Sequence, residues 1–433
     1  MVIINNKFYT PMKTKLISNN NGKVKIEIEV NLSKSMINTE GDIQTALNEG
    51  GTIITGEALK QFDTDGSPIT LGKVKFTSKG QVDKIYQTPY GEVRLARHVY
   101  QTYEGGKTYC PLDKDARIIL TATPKFAQQI SSKVAEMATT RTHEDVVKNH
   151  GRKITRSCIK DIADSVASVV LMKEEIWEYA TPEDYADVKN IAIGLDAASM
   201  LIYKEGHKMA MLGTIALYNS EGDRLHTTYI AASPEQGKAE FKERFIREIE
   251  RVKNQYPLAN TIGIADGAKD NWTLLKEYTN EQTIDYYHAA EYIAGISELI
   301  SKDKKKAEEW LVKTKKELKR EDGAAKSILN MMKNLKEKLK RPKKVLLEKL
   351  NSAITYFENN HDMMSYSLNI KNNKPIGSGV TEAACKVILK QRFCQSGMRW
   401  KREGARLILS LRSMLYSTTR WDQFWAKVDT YGY

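Results

Sequence analysis

The segment from 188 to 288 constrains the fold most, because it alternates between strand-like and helix-like patterns in a defined order. Apolar and β-branched runs predict strands, and apolar residues three or four apart predict helices. Three consecutive strands are followed by helix, strand, helix, strand. Antiparallel strands followed by parallel ones through helical crossovers give a mixed sheet. The predicted strands are 188–201, 209–218, 224–232, 260–265 and 283–287, with helices from Ser233 (capped by Ser233, Pro234 and Gln236) and from Trp272.

Two of these strands end in a single carboxylate. Asp196 follows the apolar residues 191–195, and Asp266 follows 261–265 and precedes Gly267. The order of elements is that of a ribonuclease H-like domain, in which the fourth strand lies beside the first. A third acid, Glu382, begins a helical run after the turn at 377–379 and can pack across that edge. Three such carboxylates predict a site for Mg²⁺ or Mn²⁺, and two ions about 4 Å apart can promote phosphoryl transfer.

Each acid also has a simpler role that the residues leave open. Asp266 can start an Asp-Gly turn, and Asp196 can cap the end of a strand. Glu382 can match the dipole of its helix. The glycine after Asp266 is interpreted as room for a phosphate to approach. The case for catalysis depends on all three acids falling where one fold brings them together.

The charge of the chain favours a polyanionic partner. The net charge is +13 and the pI is near 9.2, which indicates nucleic acid before a membrane surface. Residues 301–344 hold 17 Lys and Arg against 7 Asp and Glu, so this stretch contributes +10. Apolar residues interleave with these charges, which predicts a packed helical insertion that presents a positive surface to phosphates. Solvated helix faces are the alternative for many of these lysines.

The N-terminal 120 residues are predicted to be β-rich. Residues 24–30 alternate strictly between apolar and charged, which is typical of a half-buried strand. Further strand-like pieces surround 52–54, 74–76 and 93–100, with turn signals between them. Together they predict a small antiparallel sheet whose role the residues do not reveal.

Residues 124–179 have helical periodicity. A helix capped at Thr142 and ending near Gly151, followed by a second helix, is the outline of a helix-turn-helix. Arg152, Lys153 and Arg156 lie where a recognition helix would meet DNA. A plain helical pair with solvated basic residues is the alternative.

Several classes of protein are excluded by what the sequence lacks. The four cysteines contain no CxxC pair, which argues against a zinc ribbon and a secreted disulfide framework. No apolar run approaches the roughly 18 residues of a membrane span, and no signal peptide is evident. The chain is therefore expected to be soluble, intracellular and cytoplasmic.

Long motifs from about Thr88 to the C-terminus carry a family resemblance. They are GGKTYCPLD at 105–113, ADGAKDNW at 265–272, PIGSGVTEAACK at 375–386, SGMRW at 396–400 and RWDQFW at 420–425. On these motifs the chain resembles insertion-sequence transposases of the Kra type. That family is a branch of the DDE superfamily related to Mutator-like elements.

The resemblance implies a fold and a domain order. It implies an α/β ribonuclease H-like catalytic core with a mixed five-stranded sheet, an all-α insertion domain, a small β-rich N-terminal domain and a helix-turn-helix. The expected domains are a β-rich domain at 1–120, a helical DNA-binding domain at 121–185, a catalytic domain at 186–288 and 376–425, and a basic helical insertion at 289–375.

The resemblance also implies a function. Asp196, Asp266 and Glu382 are then the catalytic and metal-binding triad, and Asp285 to His288 matches an Asp-x-x-His signature, which places His288 near the scissile phosphate or a displaced base. The expected DNA contacts are Arg152, Lys153, Arg156, Lys269, His288, Arg392, Arg399, Trp400, Lys401 and Arg402.

The expected partners are double-stranded DNA, namely element ends and target, and further copies of the chain in a homodimer or larger complex. Metal-dependent hydrolysis at the terminal inverted repeats would be followed by strand transfer. The family usually has glycine after the first acid, where this chain has Ala197. A transposase-derived DNA-binding protein without cleavage activity, or a nuclease on the same fold, is the alternative.

Overall fold

The chain forms two compact units in a computed structural model, which describes residues 13–20, 22–181, 187–235, 238–339, 343–417 and 419–433. One unit comprises Met1–Trp177 with Asp422–Tyr433, and the other comprises Glu178–Trp421. The division into four domains stays a prediction. Across the described ranges, every helix is too short or too polar to cross a membrane.

Antiparallel strands form much of the first unit, as the sequence predicts. Strands β1 (Lys13–Asn20) and β2 (Lys23–Glu29) make a hairpin. In β2 the residues alternate between exposed and half-buried, so one face packs and the other meets solvent.

A long helix of this unit was not predicted. Helix α1 (Met36–Lys60) includes residues 52–54, which the sequence analysis assigned to a strand, and that assignment is wrong. The helix contains four glycines and a β-branched run, all of which disfavour helix by local propensity. A Cβ added at Gly50 would lie 2.7 Å from Ile26 Cδ1, and one at Gly51 would lie 2.4 Å from Tyr90 Cγ. These two glycines therefore allow the helix to approach the hairpin and Tyr90 closely.

A four-stranded antiparallel sheet follows α1. Its order is β3-β4-β5-β6, with β3 (Ile69–Leu71), β4 (Val74–Gln87), β5 (Glu92–Thr102) and β6 (Gly105–Tyr109). The short helix α2 (Pro111–Asp115) comes next, with its proline at a helix start.

Three helices then pack together through apolar stripes. They are α3 (Pro124–Glu136), α4 (Thr139–His150) and α5 (Arg156–Glu174). Gly151 ends α4 with a φ of 63°, and Thr155 caps α5 by accepting a hydrogen bond from Cys158 N. Helix, glycine turn and helix are thus present. The predicted cap at Thr142 is wrong, because α4 begins at Thr139 and Thr142 lies buried within it.

The second unit contains the predicted five-stranded mixed sheet. Its strands and connecting helices are β7 (Asn190–Ile202), β8 (Gly206–Tyr218), β9 (Arg224–Ala232), α6 (Ala239–Gln255), β10 (Asn260–Ala265), α7 (Lys269–Tyr278) and β11 (Glu281–Ile284). The order in the sheet is β11-β10-β7-β8-β9. Strands β7, β8 and β9 are antiparallel, whereas β10 is parallel to both β7 and β11.

The predicted strand 188–201 agrees with β7 to within two residues, but the placement of Asp196 at the end of that strand is wrong. Strand β7 continues through Asp196 to Ile202, since β8 pairs with it along its whole length. Two other predicted boundaries in this region are wrong. Strand β11 ends at Ile284, because the next residue already caps a helix. Helix α6 begins at Ala239 rather than near Ser233, and Glu235 accepts hydrogen bonds from two backbone N–H groups of its first turn. Gln236 lies outside the described residues.

The region between the two halves of the predicted catalytic domain is helical, as expected. It contains α8 (Tyr286–Gly295), α9 (Ser297–Ile300), α10 (Lys304–Arg320), α11 (Ala324–Lys338), α12 (Lys344–Asn360) and α13 (Tyr366–Lys371). Its buried residues, such as Leu318, Ile328 and Phe357, belong to the same hydrophobic cluster as Ile193 and Ile215 of the sheet.

The C-terminal helices include one irregular turn. They are α14 (Gly379–Ala384), α15 (Gln391–Phe393), α16 (Arg402–Tyr416) and α17 (Arg420–Tyr431). The predicted helix from Val380 to Phe393 is present, but a π-helical turn at Cys385–Lys390 joins α14 to α15. Such turns occur as single insertions in helices, often near functional sites.

The packing of α1 predicts opposite effects for two glycine-to-alanine substitutions. Gly51→Ala forces the Tyr90 ring to move, and we expect it to lower the free energy of unfolding by about 1–3 kcal/mol. Gly41→Ala is the matched control in the same helix, because no atom lies within 4 Å of its Cβ position. It should raise that free energy by about 0.5–1 kcal/mol. Chemical denaturation measures both, and stabilisation by both would contradict the packing.

A buried histidine predicts a pH dependence of stability. Burial, together with Arg420 and Arg251, lowers the pKa of His226 in β9 to about 4. The unfolded chain therefore binds more protons between pH 6.5 and 4, so stability is lost as the pH falls through this window. We expect the loss from this residue to be about 3 kcal/mol between pH 7 and pH 4. Denaturation of His226→Gln should show a shallower dependence, and an unchanged slope would contradict the pKa.

Candidate active site

The register of two parallel strands brings two predicted acids together. In the pairing of β10 with β7, Ile264 lies opposite Gly194. Two residues further along each chain are Asp266 and Asp196, so the same register places them side by side. Asp266 directly follows β10, and its Oδ1 accepts a hydrogen bond of 3.0 Å from Ala268 N. Asp266 therefore starts a turn and also lines a cleft.

The third acid is held by contacts between α14 and the sheet. Thr381, which precedes Glu382, is buried, and its Oγ1 lies 2.7 Å from Thr214 Oγ1 of β8. A Cβ at Gly194 would lie 2.1 Å from Thr381 Oγ1 and 2.8 Å from Thr214 Oγ1. The missing side chain at Gly194 therefore lets α14 sit directly on the sheet. The Glu382 side chain remains 47% exposed and can reach a ligand.

These acids line one cleft of about 920 Å³. Four of the predicted site residues, Asp196, Asp266, Glu382 and His288, contribute to its wall. Seven other polar residues of this wall were not among the predicted site residues: Tyr287, Glu291, Ser378, Thr381, Lys386, Lys390 and Gln391.

Two of those residues could have been identified from their spacing in the sequence. Lys386 and Lys390 follow Glu382 at intervals of four, the spacing of one helix face. Both are exposed and place positive charge in the cleft beside the acids.

A hydrogen-bond network joins Asp285 to the turn before α14. Asp285 is fully buried and caps α8, where its Oδ1 accepts from Tyr287 N and His288 N. Its Oδ2 accepts from Ser378 N at 2.8 Å and from Ser378 Oγ. Burial opposes ionisation, but these hydrogen bonds, above all those from Ser378, lower the pKa of Asp285. Ser378 Oγ also lies 2.7 Å from Glu382 Oε1.

His288 lies between two of these carboxylates. Its Nδ1 is 3.7 Å from Asp285 Oδ2 and 3.7 Å from Glu382 Oε1. Among the described residues, the group of three whose ligand atoms lie within 4.8 Å of one another is Asp285, His288 and Glu382. The predicted set of Asp196, Asp266 and Glu382 shares the cleft but is not so closely spaced.

The donor set of the cleft fits a hard cation. Asp196, Asp266 and Glu382 offer carboxylate oxygens at the surface of the cleft, which leaves space for water and phosphate oxygens. The acceptors of Asp285 already receive four hydrogen bonds from the protein, so that residue is better suited to positioning than to ligation. Burial and the neighbouring Asp196 raise the pKa of the Cys385 thiol, which therefore stays protonated.

Close packing accounts for the glycine that follows Asp266. A Cβ at Gly267 would lie 2.8 Å from Tyr356 Cε2 and 3.4 Å from Asn360 Nδ2. Helix α12 thus packs directly against the turn that follows the acid. This close packing explains Gly267, and the interpretation as room for phosphate stays a prediction.

Two arginines predicted to contact DNA are buried. Arg392 is 4% exposed, and its guanidinium lies 4.8 Å over the Trp400 ring. Arg152 is 3% exposed and donates to Thr88 O and to Gln87 Oε1, each at 3.0 Å. Burial lowers the pKa of Arg152. Both side chains hold the protein interior together, so the prediction that they contact phosphate is corrected.

The other predicted DNA contacts near the C-terminus surround the end of β7. Trp400 N donates to Leu201 O, and Trp400 O accepts from Tyr203 N, so this loop extends the strand. Arg399 and Lys401 are exposed, and the Arg399 guanidinium lies 5.8 Å over the Tyr203 ring.

The remaining predicted contacts are not among the residues that line the cleft. Arg402 is exposed but paired with Glu205, with Nε 2.8 Å from Oε1. Arg156 is exposed as the first residue of α5, and Lys153 is exposed in the loop before that helix. Lys269 is exposed as the first residue of α7 and lines a second cavity that also includes Gly267.

A comparison of the chain with protein-family models finds no match, and a comparison with curated proteins finds none either.

The close contacts at Gly194 predict how one added methyl group changes stability and metal affinity. Gly194→Ala must displace Thr381 or Thr214, so we expect the free energy of unfolding to fall by about 1–3 kcal/mol. Displacement of α14 also moves Glu382, and Mn²⁺ affinity measured by electron paramagnetic resonance should fall about tenfold.

Gly404→Ala in α16 is the matched control for this substitution. No atom lies within 4 Å of its Cβ position, so both quantities should change little or the stability should rise. Normal Mn²⁺ affinity in Gly194→Ala would show that this contact does not position Glu382.

Proposed function

We propose that this chain is a metal-dependent DNA transposase of the DDE type, similar to insertion-sequence transposases of the Kra type. The observation that carries the proposal is the convergence of Asp196, Asp266 and Glu382 on one cleft from two parallel strands and a late helix. The chain would bind the terminal inverted repeats of its element, hydrolyse the phosphodiester at each end and join the freed strand to target DNA.

The topology of the sheet supports a ribonuclease H-like catalytic domain. Three antiparallel strands, with β10 added beside β7 and β11 beside β10, agree with that fold. The helical segment 289–375 is inserted between β11 and α14, which corresponds to the insertion domain that the resemblance implies.

The cleft contains the groups that phosphoryl transfer requires. Asp196, Asp266 and Glu382 would hold one or two Mg²⁺ or Mn²⁺ ions, which activate the attacking oxygen and neutralise charge on the leaving oxygen. Lys386 and Lys390 would bind the phosphate oxygens from the same wall. The single proton of the Ser378 hydroxyl can be donated either to Glu382 Oε1 or to Asp285 Oδ2, whereas the Ser378 N–H fixes the turn before α14 on Asp285.

The positive charge of the chain supports a DNA substrate. Helices α10 and α11 belong to the stretch with an excess of +10. Contacts between such a surface and DNA phosphates are independent of base sequence and weaken as salt rises. Pairing of two element ends would require a homodimer or larger complex.

Ala197, the residue after the first acid, gives no support to the alternative that the protein has lost its cleavage activity. Ala197 packs against the hydrophobic core of the second unit. It is not among the residues that line the cleft, so its methyl group leaves the space beside Asp196 free. A DNA-binding protein without cleavage activity, and a nuclease that does not join strands, are outcomes that the following experiment distinguishes.

Glu382→Gln tests the proposal most directly. Loss of one carboxylate ligand should reduce strand cleavage about 10²- to 10³-fold, the order of magnitude seen on removal of a key transition-state contact. DNA binding should change by less than about threefold, because one exposed acid contributes little to phosphate contacts. The measurement is cleavage of duplex DNA that carries the inverted repeats flanking the gene, with Mg²⁺ and with Ca²⁺.

Glu348→Gln provides the control, because Glu348 is exposed on α12 and does not line the cleft. Unchanged cleavage by Glu382→Gln would refute the assignment of this acid. Absence of cleavage by the unaltered protein would favour a binding protein, and cleavage without strand-transfer products would favour a nuclease.

A further inference from the structure

A π-helical turn directly follows the helix that carries Glu382. It runs from Cys385 to Lys390 and joins α14 to α15. In an α-helix each N–H donates to the carbonyl group four residues before it. Here Gln391 N donates to Lys386 O, five residues before it. The turn therefore holds one residue more than an α-helical turn, and the regular series of carbonyl acceptors is interrupted within it.

The extra residue changes which side chains share one face of the helix. In an α-helix, side chains at intervals of four drift around the axis by roughly 40° at each step. Glu382, Lys386 and Lys390 have this spacing, so they would spread over roughly 80° of an α-helix. A wider turn rotates each residue by less and keeps the three side chains in one row. All three line the cleft.

Arg412 of α16 donates hydrogen bonds to the carbonyl groups of this turn. Its Nε lies 2.9 Å from Ile388 O, and its Nη2 lies 2.7 Å from Val387 O. Helix α16 packs against the turn. A buried carbonyl group that has lost its place in a helical ladder requires another donor. One planar guanidinium group can supply donors to two neighbouring carbonyl groups.

The burial of Arg412 shows that packing alone does not explain the residue. It is among the largest fully buried side chains of the described part of the chain, and 1% of its surface is exposed. Its guanidinium lies 5.0 Å over the Tyr416 ring. Transfer of a charged group out of water is costly unless the group is paired and hydrogen-bonded. The two carbonyl contacts therefore account for an arginine where an apolar side chain would fill the space.

The turn has one buried face and one face in the cleft. Cys385, Ile388 and Leu389 are buried, and the turn packs against β7. Lys386 and Lys390 are exposed in the cleft. Without the contacts from α16, the turn could relax to the α-helical pitch, which would rotate the residues at its end most. Lys390 would then leave the row of Glu382, whereas Lys386, near the start of the turn, would move little.

We propose that Arg412 is a positioning residue that holds the π-helical turn and thereby keeps Lys390 in the cleft, where its ammonium group binds a DNA phosphate. This proposal rests on the proposed function, because it concerns the phosphate contacts of the same cleft. The Arg412 side chain is buried and does not line the cleft. It acts on Lys390 through two main-chain carbonyl groups.

Arg412→Lys tests this role, because an ammonium group keeps the charge but lacks the fixed planar set of donors. The full-length protein is mixed with duplex DNA that carries the inverted repeats, with Ca²⁺ present. Its lysines are acetylated with and without the DNA, and mass spectrometry measures the protection of each one. DNA should protect Lys390 and Lys386 in the unaltered protein. In Arg412→Lys the protection of Lys390 should be lost and that of Lys386 kept.

A double-mutant cycle measures the size of the effect. Each phosphate contact contributes about 0.9 to the slope of the logarithm of DNA affinity against the logarithm of salt concentration. Lys390→Ala should therefore lower the slope by about 0.9 in the unaltered protein. In Arg412→Lys it should lower the slope no further, because that contact is already lost.

Arg244→Lys is the matched control for both measurements. Arg244 is also a buried arginine of the second unit, but it lies on α6 and does not line the cleft. This variant should keep the protection of Lys390 and the full effect of Lys390→Ala. Chemical denaturation shows whether each variant is folded. If Arg412→Lys does not fold, Arg412→Gln, which is neutral and can donate to one carbonyl group, takes its place.

Full protection of Lys390 in the folded Arg412 variant would overturn the proposal. Additive effects in the cycle would do the same, and so would an absence of protection at Lys390 in the unaltered protein. A general loss of stability cannot mimic the expected result, because it would not remove one lysine from the DNA contact and leave its neighbour. If the expected result is found and the unaltered protein nevertheless cleaves no DNA, the role of Arg412 stands and the proposed function fails.

Discussion

The parallel pairing of β7 with β10 is the interaction on which the candidate site depends. Its register places Asp196 and Asp266 at the same height on neighbouring strands. A parallel pair cannot be joined by a tight turn, so α6 must cross over between the strands. A shift of this register by one residue would turn one acid to the opposite face of the sheet. The hydrophobic cluster between the sheet and its helices opposes such a shift, because it would expose Ile193 and Leu195.

Two glycines near the pair of β7 and β10 allow close packing against different helices. At Gly194 the absence of a side chain makes room for the two threonines that fix α14 on the sheet. At Gly267 it makes room for Tyr356 of α12. The acids are therefore positioned from both sides, by the late helix and by the insertion. Asp285 adds a third connection, since it caps α8 and accepts two hydrogen bonds from Ser378.

Much of the second unit could be predicted from local pattern alone. The strands β9 and β10 match their predicted bounds, because apolar periodicity is strong there and turn residues flank it. Helix α1 could not be predicted, since Gly50 and Gly51 act through contacts with Ile26 and Tyr90 that no local window contains. The burial of Arg152 and Arg392 was missed for the same reason: a basic residue looks solvated until its tertiary partners are known. Lys386 and Lys390 were within reach of a spacing argument.

The shared core of the second unit has a consequence for how this architecture can change. Leu318, Ile328 and Phe357 of the helical insertion pack in the same cluster as Ile215 and Phe245 of the sheet and its crossover helix. An insertion that contributed only a charged surface could be exchanged for another, or lost, without harm to the rest. Here its removal would uncover apolar surface on the sheet side and leave the turn at Gly267 without support. The insertion therefore cannot be exchanged as an independent module. A substitution on its inner face requires a matching substitution on the face of the sheet that it covers.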